Sequence, residues 1–138
     1  LAIMPTLMVL LEGQAFALPL VNVNEIFSLD LTQINRVDGQ QVIIVRDKAM
    51  PVFHLKRWLI GGHQNDPLPQ QGHVVIANVG AVQVAFVVDQ LVGQEEVVIK
   101  PLGSVLLGTP GLSAATITGD GRIALILDVP NLLKHYTS

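Results

Sequence analysis

The chain has 138 residues and a net charge of −3, and half of it is apolar with few aromatics. That length fits one domain, and its basic residues are scattered, with Lys56-Arg57 the only adjacent pair, which argues against a nucleic-acid groove. The absence of cysteine excludes disulfides and thiolate metal sites and suits a cytosolic protein.

Leu1–Leu11 is the most apolar stretch. It is too short to span a bilayer, Pro5 interrupts it, and no basic segment precedes it, so neither insertion into a membrane nor a signal peptide is expected. The start at Leu1 reads as a cut from a longer protein, with residues 1–5 as a junction and 6–138 as the domain.

Thr6–Leu11 and Gln14–Leu20 flank Glu12-Gly13 and read as a hairpin. Pro19 demotes the end of the second strand to an edge or bulge. Asn22–Ile26 reads as one helical turn, which sets Leu20, Val23, Ile26 and Phe27 on one apolar stripe. Gln40–Arg46 and Ala49–Phe53 are strands around Asp47-Lys48. Leu55–Ile60 follows as a short helix stopped by Gly61-Gly62.

Gln64–Gln71 is polar, holds two prolines and reads as the linker between approximate lobes 6–62 and 73–138, with packing of the C-terminal segment back on the first lobe left open. Val74–Val79 and Val82–Val88 form a third hairpin around Gly80. Gln90–Lys100 contains Gly93 and the short strand Val97–Ile99. Gly103, Gly108, Pro110 and Gly111 mark an irregular loop. Ser113–Thr118 and Arg122–Leu127 pair across Gly119-Asp120-Gly121, since Asp-Gly is a strong hairpin signal. Asn131–His135 ends the chain as a helix after Pro130.

The order hairpin, connector, hairpin, short helix occurs twice. Leu7–Leu20, Val42–Phe53 and Leu55–Leu59 are echoed by Val74–Val88, Ala114–Leu127 and Val129–Leu133. No helical period persists, so the fold class is all-β with a few short helices. Lobes this small are marginal alone. They are expected to share an apolar seam and to bury further surface against a partner.

Reactive constellations are weak throughout. Gly119-Asp120-Gly121-Arg122-Ile123-Ala124 imitates a dinucleotide loop, but the segment after it reads as a strand and not a helix. His63, Asp66 and His73 gather near the linker without tight ligand spacing. Glu95-Glu96 point to opposite faces of a strand and make a poor acid–base dyad. Ser28, Ser104 and Ser113 lack a nucleophile elbow. His54 reads as a rim or satisfied histidine, and His135 as exposed. No catalytic set, cofactor site or metal site is expected.

The stretch Val87–Gln94 with Val97–Gly103, and the longer run Pro110–Val129, resemble the CheW-like fold. Phe16–Leu20, Val45-Arg46 and Met50–Val52 extend the resemblance over nearly the whole chain. Ala114–Gly121 is more similar to the C-terminal regulatory domain of the chemotaxis histidine kinase CheA than to the free adaptor CheW, and Leu1–Ile3 resembles the junction after that kinase's ATP-binding domain. Asp47-Lys48 departs from the family's usual turn residues and leaves the turn type open. The resemblance implies two five-stranded SH3-like barrels around a shared apolar core, with no chemistry of their own. It implies a cytoplasmic domain recruited to membrane receptor arrays. Its partners would be the CheW adaptor, the cytoplasmic tips of chemoreceptors and the rest of the kinase chain. Adaptor docking, carried over by position, falls on Leu20, Val23, Ile26, Val37 and Ala49. A stand-alone CheW-type adaptor is the alternative.

Overall fold

The computed structural model describes residues 2–101 and 109–137. Leu1, Ser104 and the loop glycines Gly103 and Gly108 therefore lie outside the described residues. The first half holds β1 (Ile3–Leu11), β2 (Gln14–Pro19), β3 (Val23–Asp30), β4 (Asn35–Val37), β5 (Gln40–Val45), β6 (Lys48–His54) and the helix α1 (Leu55–Leu59). The second holds β7 (Gln71–Val79), β8 (Val82–Val88), β9 (Gln90–Val98), β10 (Leu112–Ile117), β11 (Ile123–Leu127) and α2 (Val129–Thr137).

Turn chemistry sets the local pairings. Glu12-Gly13, Asp38-Gly39 and Arg46-Asp47 all have positive φ at both residues. That backbone matches the twist of the strands it joins and closes two-residue hairpins. The turn at Asp47 is thus of this primed kind even without a glycine. Gly111 meets a different demand. Its φ is +82°, and a Cβ there would lie 2.4 Å from Leu132 Cδ1, so the loop packs against α2 only because no side chain intervenes.

The strands form two sheets, in the orders β10-β11-β2-β1-β9 and β3-β7-β8-β6-β5-β4. Neither follows the expected division at the linker. Each half lends its first hairpin to the sheet built by the other half. β11 runs parallel to β2, with Leu125 beside Phe16, and β6 runs parallel to β8, with Phe53 beside Phe86. The lobes are therefore β1–β2 with β9–β11, and β3–β6 with β7–β8, rather than 6–62 and 73–138.

The physical reason for this exchange is apolarity on both faces of the lent hairpins. Leu7, Val9, Leu11, Phe16 and Leu18 face a large core shared with Val75, Ala77, Val84, Phe86 and Val88. The alternate residues Met8 and Ala17 fill one lobe, and Val74, Ile76, Ala85 and Val87 the other. Strands buried on both sides must lie between two layers, and the lent hairpins supply the inner ones. The expected seam between lobes is thus the largest core of the molecule.

Two further expectations change. Asn22–Ile26 is not a helical turn. A 3₁₀ turn spans Leu20–Asn22, and β3 begins at Val23. Pairing with β7 slips between Val23 and Glu25, a bulge that returns Val23 and Ile26 to the same face. Both pack on the shared core with Leu20, whereas Phe27 turns to the other face and fills the lobe. Pro19 ends β2 inside a five-stranded sheet rather than at its edge, but the parallel partner β11 pairs only over Ala15–Ala17, so no ladder bond is lost to it on that side.

Neither barrel closes. In the five-stranded sheet the edges β9 and β10 meet, among the described residues, at one bridge, Lys100 with Ala115. The two helices pack over the seam. Trp58 stacks on Tyr136 at 4.9 Å, lies 4.8 Å from Phe53 and meets Phe86 edge-on at 6.0 Å. The Tyr136 hydroxyl donates to the Trp58 carbonyl at 2.8 Å, joining the ends of the two halves.

Candidate docking surface

The pairing of β4, β5 and β6 decides which residues face out. Ile43 and Met50 sit opposite each other and are buried, so they face the lobe interior. Their neighbours Ile44 and Ala49 are also paired and turn outward, as do Val42 and Pro51. Val37 lies at the rim of this face, opposite Gln40. Val37 is 56 % exposed and Ile44 60 %.

The same outer face continues across β8 and β7. Val82 is paired with Val79 and alternates in step with Val84 and Phe86, which cover the shared core. Val82 itself lies beyond that cover and is 56 % exposed. Met50 and Gln83 line one shallow cavity on the inner side, so the alternation turns Ala49 and Val82 outward together. Next to this row the 3₁₀ turn presents Val21, which is 86 % exposed. Its neighbour Asn22 donates from Nδ2 to the Asn78 carbonyl at 3.1 Å and anchors the turn to β7.

The five residues nominated from the sequence thus lie at the two margins of one sheet face. Leu20, Val23 and Ile26 form a half-buried margin seated on the shared core. Val37 and Ala49 form an exposed margin. The structure adds Val21, Ile44 and Val82. Val42–Val45 is apolar without a break, so its pattern does not show that Ile43 is covered and Ile44 bare. Isolated apolar surface residues need no explanation, whereas a contiguous exposed apolar patch is the kind of surface on which partners dock.

An ion pair lies on the inner side of this sheet, beside the cavity that Met50 and Gln83 line. The Arg46 guanidinium forks onto Glu25 and holds that carboxyl below the usual carboxylate range. This pair ties the β5–β6 turn to β3 across the open end of the lobe.

Other polar groupings offer little chemistry. Ser28 Oγ and His73 Nδ1 are 3.3 Å apart in a cavity of about 340 Å³ that Asp30 and Asp89 also line. Asp30 is engaged by the Thr32 amide and hydroxyl, and Asp89 accepts from the Glu12 amide at 2.7 Å. Among the described residues no carboxylate forms an ion pair with His73, so the Ser28–His73 pair lacks the acidic third member of a triad. Of His63, Asp66 and His73, only the first two meet, at 2.6 Å, with Glu12 joining them. A divalent cation there would face the Lys56 ammonium, already 3.1 Å from Glu12 Oε1. The group works as a brace between the β1–β2 turn, α1 and the linker. His63 holds the Asp66 carboxyl low.

His54 ends β6 at 9 % exposure, with Nε2 2.6 Å from Gln41 Oε1. Burial, aided by Arg57, Lys56 and Arg36, pushes its ring down to about 4. The unfolded chain takes up this proton near pH 6.5 and the folded chain only near 4. The folded state therefore loses stability as pH falls through that window and is unaffected above it. The expected loss by pH 4.5 is about 2 kcal/mol. Urea midpoints at pH 7 and 4.5 should show this slope in the parent and a smaller one in His54→Gln. An equal slope in both would free His54 of the effect.

No helix among the described residues is long and apolar enough to cross a membrane. The model of the CheW-like domain matches residues 5–137. The chain is 36 % identical over 135 residues to the chemotaxis protein CheA of Treponema pallidum, covering 97 % of this chain and 16 % of that one. It is 39 % identical over 134 residues to CheA of Salmonella typhimurium, covering 96 % and 20 %, and 37 % identical over 134 residues to CheA of Bacillus subtilis, also covering 96 % and 20 %. It therefore spans a fifth or less of the curated relatives it matches. The crystal structure of the scaffolding protein TtCheW from Thermoanaerobacter tengcongensis has the same fold, with a TM-score of 0.75 at 19 % identity, covering 92 % of this chain and 90 % of that one. With a family model matching nearly its full length, the chain belongs to the CheW-like domain family.

Proposed function

We propose that this chain is the C-terminal regulatory domain of a chemotaxis histidine kinase. It docks a CheW adaptor and the cytoplasmic tips of chemoreceptors and passes receptor state to the kinase core. The observation that carries the docking role is the apolar row on the outer face of the six-stranded sheet, which no element of the chain covers among the described residues. Leu20, Val23, Ile26, Val37 and Ala49 are the proposed adaptor contacts, with Val21, Ile44 and Val82 between them. The kinase assignment draws support from the CheA relatives, of which the chain matches a small part. Residues 1–5 then act as the junction to an ATP-binding domain, and the domain works in the cytoplasm at receptor arrays.

The proposed mechanism is mechanical. Docking fixes the domain relative to the kinase, and receptor state biases that arrangement. A coupling of about 1–3 kcal/mol is enough to change output several-fold or more. A stand-alone CheW-type adaptor is the second reading, since the scaffolding protein TtCheW shares the fold. Reading the gene upstream of Leu1 separates the two. A histidine-kinase ATP-binding domain in frame is expected, and a start codon directly before the first strand would favour the adaptor.

A further inference from the structure

The two lobes are filled differently. The interior of the six-stranded lobe is packed with Leu31, Ile43, Met50, Val52, Val74 and Ile76. The interior of the five-stranded lobe holds Ala15, Ala17, Ala114 and Ala124, with Met8 and Val97 among its larger side chains. Methyl groups leave space there that a close-packed interior lacks. A bulge adds to it, because the pairing of β1 with β9 slips between Gly93 and Leu91 and leaves Val92 over.

Two adjoining cavities occupy this space. The first, of about 320 Å³, has an apolar side made by Met8, Leu10, Ala15 and Val92. Thr118, Gly119, Asp120 and Arg122 of the β10–β11 turn also line it. Glu95, Thr118 and Gly119 line the second cavity as well, of about 620 Å³, and so mark the junction of the two. Lys100 stands at the bridge to Ala115, lines the second cavity and does not reach the first.

Two polar side chains around this space are uncommitted. Glu95 sits opposite the fully buried Thr6, and Val97 two residues on is buried, so the Glu95 side chain leaves β9 on the side of the lobe interior while Glu96 leaves on the other. Glu95 is exposed at the mouth and forms no ion pair among the described residues. Thr116 lines the second cavity at 2 % exposure, and among the described residues its hydroxyl has no hydrogen-bond partner. Asp120, by contrast, is engaged by the Thr118 hydroxyl and by Arg122, whose Nε lies 3.5 Å away, so the turn carries its own counter-charge. A buried hydroxyl without a partner and an unpaired carboxylate beside an apolar chamber suit a ligand with a donating cation at one end and an apolar stem at the other. An ammonium has three donors and no acceptor, so both groups can receive it. We propose that the open side of the five-stranded lobe binds a primary ammonium on an unbranched aliphatic stem. The stem lies in the first cavity against Met8, Ala15 and Val92, and the ammonium meets Glu95 and Thr116. This site is on the other sheet from the apolar row, and its fate does not decide that of the adaptor reading.

The probe is n-hexylammonium, titrated into the 138-residue chain labelled at its methionine, alanine and valine methyls. Signals of Met8, Ala15 and Val92 should shift along a saturable curve, and hexanoate at the same concentration should leave them in place. Glu95→Gln should raise Kd by about tenfold or more, and Thr116→Val by about threefold. Neither removed group has a partner in the chain, so both variants should unfold near the parent's midpoint. Nα-acetyl-lysine methylamide forms the second arm. Binding as tight as that of hexylammonium assigns the site to a lysine side chain of another protein, and weaker binding assigns it to a free amine. Shifts that do not saturate with hexylammonium would overturn the proposal. So would equal shifts with hexanoate, or parental affinity in folded Glu95→Gln.

Discussion

Phe86→Ala is expected to cost the folded chain about 3–5 kcal/mol, the usual result of emptying a fully buried aromatic site. Phe86 has no exposed surface and lies in β8, on the face that looks across the seam. Its ring meets the edge of Trp58, which packs on Phe53 and stacks on Tyr136. The site thus joins both sheets and both helices, and its loss is felt by each lobe. Total stabilities of single domains are about 5–15 kcal/mol, so this one truncation removes a large share. Phe86→Leu, which keeps more of the volume, should cost clearly less. Denaturant unfolding of the two variants measures the difference. If Phe86→Ala cost under about 1 kcal/mol, the seam would not be the principal core.

Val82→Asp and Ile44→Asp should each weaken adaptor binding at least tenfold while leaving the unfolding midpoint nearly unchanged. Both residues are more than half exposed, so the free chain hydrates the new carboxylate at little cost. In a dry interface the same carboxylate loses water without gaining a partner, at a cost of about 2 kcal/mol or more. Leu20→Asp and Val23→Asp are less discriminating. Their side chains pack on the shared core, so binding and stability fall together. Val92→Asp, exposed on β9 of the other sheet, is the control and should bind as the parent does. Titration calorimetry with a purified CheW adaptor gives the affinities. Unchanged binding in folded Val82→Asp would remove the row from the interface.

Local structure was legible wherever a turn residue or an alternation spoke for itself. Glu12-Gly13 and Asp120-Gly121 announced their hairpins. Sheet membership was not legible, because the parallel pairings of β2 with β11 and β6 with β8 depend on long-range packing that leaves no local mark. Leu20, Val23 and Ile26 do share a side, as their spacing suggested, but a 3₁₀ turn and a bulge produce it rather than a helix. The hairpin at Asp38-Gly39 escaped notice because Asn35-Arg36-Val37 is short and mostly polar, although the Asp-Gly pair signals it. Val37 and Ala49 entered only by resemblance. Val21, Ile44 and Val82 needed the strand register before they became visible.

One measurement bears most directly on the outer face of the six-stranded sheet as the handle of this domain. It is the methyl and amide NMR footprint of a CheW adaptor on the labelled chain. Signals of Val21, Ile44, Ala49 and Val82 are expected to shift or broaden on titration while those of Val92 stay in place. A footprint confined to the other lobe, with this row unperturbed at saturation, would contradict the account.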